Sequence, residues 1–200
     1  MLLWHEQASD RTGLAHLYFS KLFLCYLFQD FRQAAANAQE LEKYLNAVMG
    51  VIIVPLFNFY NSLTVLALYA EALPSEQAGF LEKVTANQAM IQKWAHHAPT
   101  NFLHKFYLVE AERHRVLGQK AEAIEMYDRA IAKATEHEYL NEQAIATIDL
   151  EYLQEDLPKL ISSLKEGSDR IRGISASLRT FSRGDSDRNS NTELVICHLS

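Results

Sequence analysis

Cysteine, proline and glycine are all scarce in this chain of 200 residues. Its two cysteines, Cys25 and Cys197, lie far apart, so we expect no disulfide framework and a reducing compartment. The chain has 4 prolines and 7 glycines, while 48% of its residues are hydrophobic. This composition predicts an all-α protein with a buried core.

Long hydrophobic runs and an excess of positive charge are also absent. The longest apolar run, 48–57, is interrupted by Gly50 and Pro55, and a membrane-spanning helix needs roughly twenty apolar residues. The start, "MLLWHEQASD", has no basic region of the kind that opens a signal peptide. The net charge of −6 gives no reason to expect nucleic-acid binding. We therefore expect a cytoplasmic protein with no membrane span and no nucleic-acid partner.

Motifs for catalysis are missing as well. The sequence contains no glycine-rich phosphate loop, and no spacing of Ser, His, Asp or Cys argues for a nucleophile. His96 and His97 precede Pro99 at a predicted helix end, where a cation is favoured. A metal site joining them to His104 has no cysteine or carboxylate at ligand spacing to support it. We expect no catalytic residue, no cofactor and no metal.

The pattern of apolar residues predicts a series of helices joined by short turns. In the second of them, Ala34, Ala38, Leu41, Leu45 and Val48 fall on one face. A serine before the fourth helix is expected to cap it. The predicted helices cover about 11–29, 32–49, 52–73, 75–96, 101–116 and 120–135, and another begins within 137–150. Short turns predict that neighbouring helices pack antiparallel.

The clearest helix pair is "FYLVEAERHRVLGQKAEAIEMYDRAIAKA", residues 106–134. Its spacing of small and aromatic residues around a glycine turn is typical of a tetratricopeptide repeat. The residues expected to make this packing are Ala111, Gly118, Ala123, Tyr127 and Ala130. We predict a tetratricopeptide-like antiparallel helical solenoid over 1–150. The charges at 110–115 indicate a solvated face, although the concave face of such repeats binds peptides.

A different pattern begins at about residue 151. Apolar residues there follow a heptad spacing, with Gly167 in the one missing position. The predicted dimerisation seam consists of Leu153, Leu157, Leu160, Leu164, Ile171, Ile174, Leu178 and Phe181. We predict one long amphipathic helix over 151–183, followed by a disordered polar tail over 184–200.

Two blocks resemble parts of one protein family. The segments "LWHEQASDRTGLAHLYFSKLFLCYLFQDFRQA", "LEKVTANQAMIQKWAHHAPTNFLHKFYLVEAERHRVLGQ" and "AEAIEMYDRAIAKATEHEYLNEQA", within roughly 1–147, are similar to the helical-repeat region of large cyanobacterial signalling proteins. Those proteins join a serine/threonine kinase, an AAA ATPase-like segment, this helical region, a GAF domain and a histidine kinase. The segment "IDLEYLQEDLPKLISSLKEGSDRIRGISASLRTFSR" resembles the second helix of the histidine kinase dimerisation hairpin.

The chain also departs from that family. The phosphoacceptor box of the family reads His-Glu-x-x-x-Pro, whereas His5 and His137 are followed by Glu without the proline. The ATP-binding boxes are not found either. The resemblance therefore implies a non-catalytic interaction module truncated from a sensor kinase, whose last helix self-associates as a homodimer or docks on a related kinase. Two alternatives stay open: a histidine kinase or phosphorelay protein, and a gene fragment without function.

Overall fold

A computed structural model describes residues 10–155, 165–166, 168 and 170–175. Every regular element within these ranges is a helix, which confirms the predicted all-α class. The described residues divide into two compact units, one ending at Glu151 and the other beginning at Tyr152. The predicted tail, 184–200, lies outside the described residues.

Within the described residues, the first unit contains six complete α-helices and residues 140–151 of a seventh, and consecutive helices pack antiparallel. Among the helices between Arg11 and Glu136, the fifth and sixth make the most extensive contact. Two short 3-10 helices, Leu45–Val48 and Tyr69–Glu71, stand on either side of the third helix. The helices are α1 Arg11–Leu27, α2 Phe31–Glu42, α3 Ile53–Ala67, α4 Pro74–His97, α5 Pro99–Val116, α6 Lys120–Glu136 and α7, which begins at residue 140 and is helical through 155.

Two predicted helices are shorter than the sequence suggested. The helix predicted over 32–49 ends at Glu42, and a 3-10 helix follows. The Arg11 guanidinium donates a hydrogen bond to the Lys43 carbonyl at 2.9 Å, so a side chain satisfies that carbonyl at the helix end. The helix predicted over 52–73 ends at Ala67, where another 3-10 turn replaces it. Both endings leave the chain free to turn sooner than the apolar pattern implies.

The predicted serine cap of α4 is also wrong. The helix begins one residue earlier, at Pro74, whose ring is pre-organised for a first helical position and whose missing N–H costs nothing there. The carboxylate of Glu76 accepts a hydrogen bond from the N–H of Leu73 at 3.0 Å. This bond satisfies a backbone donor at the helix start without a capping hydroxyl.

Three of the turns share one geometry. Gln29, Gly118 and Glu138 have φ angles of 61°, 74° and 61°. In each turn the next residue's N–H donates to the carbonyl five residues back, at 2.9 Å: Asp30 to Cys25, Gln119 to His114 and Tyr139 to Ala134. This is the Schellman ending of a helix. The same turn therefore builds the hairpins α1–α2, α5–α6 and α6–α7.

The core of this unit centres on α3. That helix is buried almost all round, including Phe59, Tyr60, Leu63 and Leu66. On α2 and the 3-10 helix after it, the predicted face is buried at four of its five positions, Ala34, Ala38, Leu41 and Val48. Within the described ranges, no helix is long and apolar enough to cross a membrane.

Candidate functional site

A cavity of about 480 Å³ opens in the first unit where α1, α3, α5 and α7 meet. Its volume falls within the range of pockets that hold small ligands or side chains of a partner. Aromatic and aliphatic side chains form most of the wall, with two amides and one ion pair among them. The lining residues are Phe19, Phe23, Ile52, Leu56, Tyr60, Asn101, Phe102, Lys105, Tyr139, Asn141 and Glu142.

An ion pair joins α5 to α7 at this cavity. Lys105 Nζ lies 2.6 Å from Glu142 Oε1, and the two side chains are 4% and 10% exposed. The ammonium also lies 4.5 Å from the centre of the Tyr139 ring. Burial lowers the pKa of Lys105, while Glu142 acts to raise it. We call these two residues the balanced pair, because each charge meets one opposite charge.

His104 packs behind the balanced pair. Its ring stacks on Tyr139 with centroids 4.2 Å apart, and its Nε2 lies 2.8 Å from Lys105 Nζ. Burial and the neighbouring Lys105 lower the pKa of His104 to about 3. The imidazole is therefore neutral at pH 7 and accepts a hydrogen bond from Lys105, which leaves the proton on Nδ1. That buried nitrogen has no partner among the residues described.

A second cavity, of about 270 Å³, shares Asn141 with the first. It lies between the α1–α2 turn and α7. Aromatic rings connect the walls of the two cavities. The ring centre of Tyr26, in the second cavity, lies 5.5 Å from that of Tyr60, in the first, and 5.7 Å from that of Phe31. Its lining residues are Tyr26, Leu27, Gln29, Phe31, Asn141, Ala144, Ile145, Ile148 and Asp149. We call the two cavities together the α1–α7 groove.

Charged groups of α5 and α7, together with a tyrosine hydroxyl of α6, gather beside the second cavity. Glu112 accepts hydrogen bonds from Tyr127 Oη and, at 2.6 and 3.1 Å, from the Arg115 guanidinium. Asp149 lies close enough for both charges to act on it. Burial and then Glu112 raise the pKa of Asp149 to about 7, while Arg115 opposes them. We call Glu112, Arg115 and Asp149 the unbalanced cluster, because it has two carboxylates and one cation.

The sequence interpretation of 110–115 as a solvated face is wrong for Glu112. That side chain is buried, because its charge is satisfied by Arg115 on its own helix and by Tyr127 across the hairpin. The spacing of charges on α5 alone contains no sign of the second contact. A clue existed in Tyr127, a buried aromatic whose hydroxyl needs a hydrogen-bond partner.

The predicted packing residues lie in or near the α5–α6 hairpin. Gly118 supplies the left-handed residue of its turn, with φ of 74°. The four others are all buried: Ala111, Ala123, Tyr127 and Ala130. None of them lines the groove, so they support the helices that carry it.

The predicted dimerisation seam is described only in part. Leu153 is buried, whereas Ile171 and Ile174 are 67% and 61% exposed. The remaining seam residues lie outside the described ranges: Leu157, Leu160, Leu164, Leu178 and Phe181. The seam therefore stays a prediction.

The histidines considered as metal ligands differ in their exposure to solvent. His96 and His97 are exposed at the end of α4, with ring centres 5.1 Å from each other, while His104 is buried. Over the described part of the chain, no three His, Cys, Asp or Glu residues form a group that could hold a metal ion.

No protein-family model, curated protein or solved structure matches this chain. Its chemistry is therefore argued from the groove itself. Three features define that groove: aromatic walls from α1 and α3, an exposed amide at Asn141, and two charge clusters of different balance.

Proposed function

We propose that this chain is a non-catalytic protein-interaction module of the cytoplasm, in which the α1–α7 groove holds an extended segment of a partner protein. The observation that carries the proposal is that the two cavities lie side by side and share the lining residue Asn141. Apolar walls can bury a partner's side chains, and the Asn141 amide can both donate to and accept from a peptide backbone.

We also propose that the first unit is a tetratricopeptide-like solenoid. The same Schellman turn recurs at Gly118 and Glu138, which gives α5, α6 and α7 a common connection. Small residues and Tyr127 are buried on α5 and α6, as that repeat requires. The resemblance to a signalling family suggests that the partner is a related sensor kinase.

A selection from random dodecapeptides displayed on phage tests the groove. The full chain is compared with Ile52→Glu and with a matched control, Met49→Glu. Ile52 lines the larger cavity and is 57% exposed, whereas Met49 is 78% exposed and lines neither cavity. Both positions tolerate a carboxylate, since neither side chain is buried. We expect the wild type and Met49→Glu to enrich the same peptides and Ile52→Glu to lose them.

Two results would contradict this function. The wild type could enrich no peptide family above an unrelated protein. Alternatively, Ile52→Glu and Met49→Glu could select the same peptides as the wild type, which would place binding outside the groove.

A second activity, self-association through the last helix, has its own observation. Ile171 and Ile174 are three residues apart on a helix and both are mostly exposed, as a seam awaiting a second copy would be. Light scattering would measure the molar mass of the wild type and of the double variant Ile171→Glu/Ile174→Glu. Lys165→Glu is the control, because Lys165 is also exposed in this part of the chain. We expect the wild type and Lys165→Glu to be dimers and the double variant to be a monomer. A monomeric wild type would contradict self-association.

A further inference from the structure

The charged residues that line the α1–α7 groove are one lysine, Lys105, and two carboxylates, Glu142 and Asp149, and the pair of Arg115 with Glu112 lies behind the smaller cavity. Lys105 Nζ lies 2.6 Å from Glu142, and the Arg115 guanidinium lies 2.6 Å from Glu112. These two ion pairs are complete. Asp149 lines the smaller cavity, yet no hydrogen bond or ion pair joins its carboxylate to any residue in the described ranges.

The surroundings of Asp149 suit a cationic side chain. Tyr26 and Phe31 form one wall of the cavity, and aromatic faces attract cations. Leu27 and Ile148 offer apolar surface to an aliphatic stem. A guanidinium or ammonium placed there could give Asp149 the charge-assisted hydrogen bond that it lacks.

We propose that the α1–α7 groove recognises a partner segment through one basic side chain, an arginine or lysine that enters the smaller cavity and pairs with Asp149. This proposal rests on the groove being a peptide-binding site. It adds the chemistry of the partner: a segment with a basic residue, flanked by apolar residues that reach the larger cavity.

The neighbouring groups predict how such binding depends on pH. The titratable groups around Asp149 are Tyr26 on α1, Glu112 and Arg115 on α5, and Tyr127 on α6. Burial and Glu112 raise the pKa of Asp149 to about 7, so the carboxyl is protonated in slightly acidic solution. A cation pairs with the ionised form only. Binding should therefore weaken as pH falls below about 7.

The test uses one peptide selected by the full chain, synthesised with arginine or with its neutral isostere citrulline at the basic position. Both peptides are titrated into the wild type, Asp149→Asn and the control Glu151→Gln, an exposed carboxylate on the same helix. For the wild type and the control, we expect the citrulline peptide to bind about tenfold or more weakly. For Asp149→Asn, the two peptides should bind within about twofold of each other.

Each outcome decides one of the two proposals. If no peptide is enriched, the groove function and this inference both fail. If peptides bind in the groove but lack a basic residue, or tolerate citrulline, only this inference fails. A wild-type affinity for the arginine peptide that is constant between about pH 5 and 8 would also overturn it. The last measurement needs no variant, so it holds even if Asp149→Asn does not fold.

Discussion

The balanced pair and the unbalanced cluster are both built on α5, but they solve the problem of buried charge differently. Lys105 and Glu142 meet one to one, and little of either side chain reaches solvent. In the cluster, Arg115 and Tyr127 satisfy Glu112, while Asp149 lies at a cavity wall with no hydrogen bond or ion pair among the described residues. A closed pair can only hold helices together, whereas the carboxyl at the cavity wall is the group that we propose a partner's cation would meet.

The two sites also join different helices. The balanced pair links α5 to α7 and sits beside the buried ring of His104. The bond from Tyr127 to Glu112 links α6 to α5. Breaking the first should therefore cost folding free energy, and neutralising the extra charge of the second should not.

The largest effect is expected when the balanced pair is broken. Lys105→Met would leave Glu142 buried without its cation, and we expect the free energy of unfolding to fall by about 3–5 kcal/mol. Urea denaturation at neutral pH measures it. The matched control is Lys133→Met, whose ion pair with Glu136 is exposed, so its loss should leave the urea midpoint nearly unchanged.

A second variant separates lost charge from lost packing. Lys105→Met/Glu142→Leu removes both ions, so most of the stability should return. If the double variant is as unstable as the single one, the aliphatic stem of Lys105 matters more than its charge. A single variant within about 1 kcal/mol of the wild type would contradict burial of the pair.

A smaller effect is expected from pH, which should change the free energy of unfolding in opposite directions through Asp149 and through His104. The pKa of Asp149 is raised to about 7, so the folded chain holds a proton that the unfolded chain has lost, and stability falls as pH rises from about 4 to 7. The pKa of His104 is lowered to about 3, so only the unfolded chain binds that proton below about pH 6.5. Stability therefore falls as pH drops from there, and the two slopes oppose each other.

Asp149→Asn should separate these slopes. The variant has no carboxyl to titrate at this position, so it lacks the loss of stability that Asp149 causes in the wild type between about pH 4 and 7. The free energy of unfolding of the variant should therefore rise relative to that of the wild type over this range, by on the order of a few kcal/mol. Urea midpoints at several pH values measure the difference. A free-energy difference between the variant and the wild type that stays constant with pH would contradict a raised pKa for Asp149.

The spacing of apolar residues in the sequence predicts the helices better than it predicts the residues of the α1–α7 groove. Short turns and the buried spacing of Ala34, Ala38 and Leu41 are sufficient to predict an all-α chain of antiparallel hairpins, because each depends on neighbours a turn or two away. The sequence pattern does not predict the balanced pair. Lys105 and Glu142 lie on helices separated by a third, and their burial depends on how α5 and α7 pack, which no helical period contains.

The smallest change in the free energy of unfolding is expected from substitutions in the two turns that position the helices of these sites. The Gly118 turn directs α6 so that Tyr127 reaches Glu112, and the Glu138 turn precedes Tyr139 and Glu142. Only glycine adopts the left-handed conformation without cost. We therefore expect Gly118→Ala to lower the free energy of unfolding by about 1 kcal/mol and Glu138→Gly to raise it by roughly 0.5 kcal/mol.

Urea denaturation of both variants measures these changes, with Gly79→Ala as the control. Gly79 lies within α4, and a Cβ there, as at Gly118, would meet no atom within 4 Å. The control should therefore gain about 0.5–1 kcal/mol from helix propensity alone, opposite in sign to Gly118→Ala. If Gly118→Ala gained as well, the positive φ at that turn would be wrong. The contact between Tyr127 and Glu112, and with it the unbalanced cluster, would then need another explanation.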